Sequence, residues 1–129
     1  MNKSRQLDTT EDILPYVKFI RTKKQEYILC LSLDSANRVL ARRVVTIGTL
    51  TASLIHPREV FAGPIKDRAA SVIVVHNHPS GNHNPSDADI STTQQLVAAG
   101  QILGIALQDH IIVTTTTYFS FKNAHLLWP

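Results

Sequence analysis

The 129 residues read most simply as one domain large enough to bury a core, and 43% hydrophobic with 18% charged residues excludes a disordered or low-complexity chain. No apolar run is long enough to cross a bilayer, and the polar start Met1-Asn2-Lys3-Ser4-Arg5-Gln6 is no secretory signal, so the expectation is a cytoplasmic protein with no membrane contact. The net charge is +3, and nine of the thirteen Lys and Arg fall before residue 44: this reads as a surface that attracts phosphate or acidic protein, or more simply as a solvated helix face and a guarded strand edge.

Leu7 to Lys24 reads as a helix capped at Asp8 or Thr9, with Ile13, Leu14, Val17 and Ile20 on one face and Pro15 near its start. Residues 1–7 read as a flexible lead. Glu26 to Leu33 reads as a strand, and its apolar run buries the single cysteine, Cys30, as a small hydrophobe with no disulfide partner in the chain. Asp34-Ser35-Ala36-Asn37 is a turn, and Arg38 to Ile47 completes a hairpin. Thr49 to Ile55 is a short extended piece. His56-Pro57 opens a second helix, with proline in the first turn, that runs to Ala70. Ser71 to Val75 is a β-branched run of the kind covered on both faces. The loop Asn77 to Pro85 is rich in Pro, Gly, Asn and Ser. Ser86 to Leu103 is a third helix, ended by Gly100 and Gly104. Ile105 to Thr114 and Thr116 to Phe121 are strands, and Ala124 to Trp128 is a closing turn. This order predicts an α/β (α+β) fold, a mixed sheet with helices packed on it.

The chemistry concentrates in His76-Asn77-His78-Pro79-Ser80-Gly81 and Pro85-Ser86-Asp87-Ala88-Asp89. Residues i and i+2 of a strand share a face, so His76 and His78 point together and Asn77 points away. Two neutral imidazoles side by side suit Zn²⁺ or a similar divalent ion. If Ser86 caps the third helix, Asp89 sits in its first turn, and its carboxylate leans back towards the histidines. Three protein ligands and one exchangeable position form the pattern of a catalytic zinc site. Ser86-x-x-Asp89 taken singly is a capping box, and His-x-His taken singly can be two hydrogen-bonding histidines. Both together, joined by a short loop, point to a metal. His83 is an extra candidate that reads first as a solvated loop residue, and Asp87 as a carboxylate favouring the helix dipole.

His76-x-His78, seven intervening residues, Ser86, two residues and Asp89 resemble the JAMM (MPN+/JAB) metalloprotease signature at every spacing. More narrowly, the chain is similar to the RadC-like JAB domain. The likeness is carried by Asp34 to Val39, Gly48-Thr49-Leu50, His56 to Phe61, His76 to Gly81 and Leu107 to Ile112, and it extends from Asp8 to the C-terminus. The resemblance implies a single JAB/MPN-like (cytidine-deaminase-like) domain in three layers, holding one Zn²⁺ per chain. It implies a hydrolase that cleaves a peptide or isopeptide bond in a protein or peptide substrate. It further implies a glutamate at the start of an early strand, the proton carrier for the metal's water. Among Glu11, Glu26 and Glu59, Glu26 matches that position, with Glu59 the alternative. Ser86 would then hydrogen-bond the oxyanion, and Asn77 or the Pro79-Ser80-Gly81 turn would hold the loop in shape.

Two other readings accompany the resemblance. The family's traditional link to DNA repair, with the basic N-terminal third, suggests a metal-dependent nuclease or an accessory protein that associates with DNA. Some MPN-type domains are instead non-catalytic binding modules. Longer relatives carry an N-terminal helix-hairpin-helix region that this sequence is expected to lack. One segment departs from the family pattern: Thr114 to Ser120 replaces a Gly/Asp-rich turn and predicts a longer hairpin or an unusual turn.

Overall fold

The computed structural model describes residues 6–48 and 55–127. Of the expectations above, those for residues 1–5 of the lead, for 49–54 of the extended piece and for Trp128 lie outside the described residues. Among the described residues, five strands form one sheet in the order β2-β1-β3-β4-β5. They are β1 Glu26–Leu33, β2 Val39–Gly48, β3 Ser71–Asn77, β4 Ala106–Val113 and β5 Tyr118–Ser120. Only β3 and β4 run parallel; the other neighbours are antiparallel. The β1–β2 hairpin turns where Asp34 Oδ1 accepts from the N–H groups of Ala36 and Arg38, both at 2.9 Å, and Asn37 takes the left-handed φ of 60° that asparagine tolerates. A parallel pair needs a long crossover, which the loop after β3 and the helix α3, Asp87–Leu103, provide.

The sheet separates two cores. On one face Ile28, Cys30, Val72 and Val74 pack with Val60 and Phe61 of α2, Pro57–Asp67, and with Leu96 and Val97 of α3. On the other, Leu29, Leu31, Ile73 and Val75 pack with Ile13, Val17 and Ile20 of the N-terminal segment. The molecule therefore has three layers around a mixed sheet, the α+β arrangement expected. Burial pushes the Cys30 thiol up to about 12, as befits a small hydrophobe.

The N-terminal layer is not the single helix expected over Leu7 to Lys24. It breaks into a 3-10 turn at Thr10–Asp12, the single turn α1 at Leu14–Val17, and a second 3-10 turn at Lys18–Ile20. Pro15 has no N–H to donate, so it is tolerated only in a first turn. Val17 then leaves helical geometry at φ −119°, ψ 10°. Asp12 caps the start by accepting from the N–H groups of Asp8 and Thr9. Gln6 and Leu7, expected within the flexible lead, are held: Gln6 bridges to Arg38, and the Leu7 N–H donates to Asn37 O.

Two local features set the geometry of the site. In β4 the register slips between its pairing with Val72 and with Ile73, leaving Gln108 as an extra residue. A strand alternates faces, so one extra residue inverts every side chain beyond it. Leu107 lies in the α2/α3 core, but so does Ile112, while Ile111 and Val113 lie in the other. In α3, Gly104 ends the helix with φ 72°. Gly100 does not end it. It allows close approach instead, because a Cβ there would stand 2.5 Å from Ile105 O. The helix α2 stops before Ala70 because Arg68 turns left-handed, φ 55°.

The β4–β5 turn is unusual, as expected, but β5 is short. Thr114 Oγ1 accepts from the Thr117 N–H at 2.9 Å, a hydroxyl doing what an aspartate side-chain oxygen does in a turn. Arg21 ties the turn down by donating to Thr114 O and Thr117 O. Among the described residues, no helix is long and apolar enough to cross a membrane.

Candidate metal centre

The parallel crossover carries β3 to the edge of a cleft of about 280 Å³, lined by Glu26, Ile28, Ile55, His76, His78, Ser86, Asp89 and His110 among others. Larger hollows occur elsewhere, such as one of about 360 Å³ under the N-terminal segment. Among the described residues, however, only His76, His78 and Asp89 gather three ligand atoms, all within 4.8 Å of one another. His76 is buried at the end of β3 and His78 lies at the cleft wall. Their Nε2 atoms are 3.0 Å apart. Asp89 faces both, with Oδ1 at 3.4 Å from His76 Nε2 and Oδ2 at 3.2 Å from His78 Nε2.

Asp89 is aimed by the capping box. The Ser86 N–H donates to Asp89 Oδ2 at 2.9 Å, and Ser86 Oγ accepts from the Asp89 N–H at 3.0 Å. The capping box and the three-residue cluster are thus compatible, because the same carboxylate accepts from the Ser86 N–H and faces both imidazoles. Ser86 Oγ accepts in this bond, so its own proton stays available to a ligand in the cleft.

The loop between the two halves is folded on itself. Gly81 takes φ 87°, and its N–H donates to His78 O. His78 Nδ1 lies 2.8 Å from Asn82 O. A carbonyl can only accept, so His78 Nδ1 carries the proton and a neutral His78 offers a bare Nε2. His83 stays out of the cluster: its Nδ1 bonds Thr117 Oγ1 at 2.9 Å and its ring stacks against Phe119, docking the loop on the hairpin.

The electrostatics follow from this convergence. Burial penalises the Asp89 carboxylate, but the His76 and His78 imidazoles beside it, whose charged forms would donate to it, outweigh that cost and hold the group well below the usual carboxylate range. The Asp89 hydrogen bond raises the His78 pKa against the opposing effect of burial, and Glu26 adds a smaller push upward. Burial drives His110 well below the ordinary imidazole value. Zinc–ligand bonds of about 2.0–2.1 Å in a tetrahedron put neighbouring donors about 3.3–3.4 Å apart. The observed 3.0, 3.4 and 3.2 Å lie close to that spacing. Two imidazoles and a carboxylate also suit a borderline divalent ion.

Glu26 and Glu59 separate cleanly. The β1–β3 register pairs Ile28 with His76, so two residues on it sets Glu26 beside His78. Glu26 lines the cleft. Glu59 is exposed, lies 3.8 Å from Arg58, and borders other hollows. Glu11 accepts from the Tyr118 hydroxyl on the far layer.

Sequence reasoning passed over two supporting residues, His110 and Thr93, and gave a third, Asn77, a different role. Asn77 does not hold the loop. Its amide donates to Lys23 O and Gln25 O at 3.3 and 3.0 Å, and its Oδ1 accepts from the Tyr27 N–H at 2.6 Å, clamping the backbone on either side of Glu26. His110 and Thr93 stand behind His76. A signal for His110 existed: Gln108-Asp109-His110 interrupts an apolar run, and buried polar groups require partners.

The RadC-like JAB domain family matches residues 7–126. The UPF0758 protein of Chlorobaculum parvum is 44% identical over 127 residues, 98% of this chain and 57% of that protein. That of Methanospirillum hungatei is 55% identical over 101 residues, 78% of this chain and 45% of that protein. That of Methanosarcina mazei is 46% identical over 121 residues, 92% of this chain and 52% of that protein. The chain spans about half the length of these curated relatives. With a match over nearly its whole length, and relatives 44–46% identical over more than nine-tenths of it, the chain belongs to the RadC-like JAB domain family.

Proposed function

We propose that the chain is a zinc-dependent hydrolase that cleaves a peptide or isopeptide bond. The observation that carries this reading is the convergence of His76, His78 and Asp89 in a cleft that Glu26 also lines. A zinc ion held by these three side chains would act as a Lewis acid and bring the pKa of its water towards about 7. Glu26 takes a proton from the attacking water, whose oxygen bonds to the carbonyl carbon, and returns that proton to the nitrogen as the C–N bond breaks. Asn77 keeps that carboxylate in place through the backbone on both sides of it. Ser86 donates its free hydroxyl proton to the developing oxyanion, a contribution on the order of 3 kcal/mol if it matches other such donors. Ile28 and Ile55 give the cleft an apolar wall against which a substrate chain can pack.

Glu26→Gln tests the assignment. The variant should retain bound zinc and lose on the order of 10²–10⁴ in turnover of peptide and isopeptide-linked substrates. Turnover equal to wild type would remove Glu26 from the role. Zinc binding with no turnover in either protein would favour the non-catalytic module. The DNA-binding reading draws less support. Of the basic N-terminal residues, Arg21 bonds Thr114 O, Arg42 bonds Tyr16 O and Arg43 pairs with Asp67, so these three side chains are tied down within the fold, and the Arg43 charge is paired.

A further inference from the structure

The tautomer of His76 is set from behind. His76 Nδ1 lies 2.7 Å from His110 Nε2, and both rings are buried. Taken alone, that contact is symmetric, since either ring could donate. Thr93 breaks the symmetry. Its Oγ1 lies 2.7 Å from the main-chain oxygen of Asp89, which can only accept, so the Thr93 proton goes there. The Thr93 oxygen then accepts from His110 Nδ1 at 2.5 Å. A neutral His110 has one ring proton. With that proton on Nδ1, its Nε2 is a bare acceptor and His76 must donate from its own Nδ1. His76 Nε2 is left unprotonated, facing His78 Nε2 and Asp89.

We propose that Thr93 and His110 are positioning residues for His76, forming a one-way hydrogen-bond chain that holds it in the tautomer able to bind a divalent cation. The proposal rests on reading His76, His78 and Asp89 as a metal site. Three further observations support it. The extra residue at Gln108 turns His110, rather than Asp109, towards His76. Phe121 lies flat on the His110 ring, with centroids 4.5 Å apart and planes within 5°, and fixes the plane in which its nitrogens point. The chain ends on the Asp89 carbonyl, so it links two proposed ligands that stand on different elements. Ring partners that fix tautomer and orientation change metal affinity by about 10–100-fold when removed.

Ring ¹⁵N spectra of the metal-free protein, taken above the imidazole titration range, test this directly. Wild type and Thr93→Ser should show His76 and His110 protonated at Nδ1 and bare at Nε2. Thr93→Val should show mixed or reversed tautomers. In chelator competition, zinc affinity should fall on the order of 10-fold in Thr93→Val and recover in Thr93→Ser. A purely structural threonine would lower the melting temperature without moving the tautomer. A proton on His76 Nε2 in wild type, or an unchanged tautomer in Thr93→Val, overturns the proposal. Should Thr93→Val fail to fold, the wild-type spectrum still decides. If the tautomers are as described and zinc does not bind, the metal reading fails while the hydrogen-bond chain stands.

Discussion

His76 and Asn77 are neighbours at the end of β3, yet they serve opposite layers of the molecule. On the α2/α3 face, His76 joins His78 and Asp89 in a group of acceptors whose lone pairs converge. On the N-terminal face, Asn77 spends its oxygen and its amide on Tyr27 N–H, Lys23 O and Gln25 O, so both ends are satisfied within the protein. One face gathers side chains that could hold a cation, whereas the polar groups of Asn77 on the other are satisfied within the fold. The difference shows how a single strand end both offers a site and braces it, because the segment that Asn77 clamps carries Glu26.

Breaking the first face should affect binding far more than folding. His78→Ala should abolish stoichiometric zinc, a larger loss than the roughly 10–100-fold of a residue that only supports a ligand. Metal analysis of protein purified without added zinc measures it. Asp89→Ala should do the same and also remove the carboxylate half of the capping box, leaving the Ser86 N–H without that partner, a loss of about 1 kcal/mol. Retained zinc in both would show the cluster to be a capping arrangement alone. Breaking the second face should reverse the pattern. Asn77→Ala leaves a partly buried N–H and two carbonyls without these partners, at about 1 kcal/mol or somewhat more in all, while zinc affinity stays near wild type. Denaturant unfolding beside chelator competition separates the two, and a parallel loss of zinc would show that the faces are not independent.

The same contrast explains what was legible in the sequence. His76 and His78 could be placed together because strand alternation is a local rule, and Asp89 because a capping box fixes the first turn of a helix. The bounds of β1 were readable from an apolar run ending at an Asp-Ser-Ala-Asn turn. The role of His110 was not, since it depends on a slip of β4 against β3, a contact between distant segments that leaves no periodic trace. The N-terminal layer misled for a related reason. Ile13, Val17 and Ile20 keep helical spacing and are buried, yet the sheet they cover, not helix propensity, holds them through three short turns. Asn77 reads as a loop residue until its three partners, some fifty residues upstream, are in view.

Two smaller effects lie away from both ends of β3. Gly100→Ala should destabilise by about 1–3 kcal/mol, because a methyl there meets the Ile105 carbonyl and the overpacking exceeds the helical preference for alanine. A melting temperature above wild type would show that α3 can shift outward. The least effect is expected at Arg43 and Asp67, the ion pair that ties β2 to α2. The Arg43 guanidinium hydrogen-bonds Asp67 and holds its carboxyl below the usual value. A lowered carboxylate pKa contributes stability above the unfolded value of about 3.9, and that contribution is lost as pH falls through the lower folded value. With Arg43 partly exposed, the pair is worth at most about 1 kcal/mol. Asp67→Asn should therefore lower stability slightly at neutral pH, and the gap from wild type should close in acid. A gap that widened towards low pH would assign the stabilisation to some other group on this face.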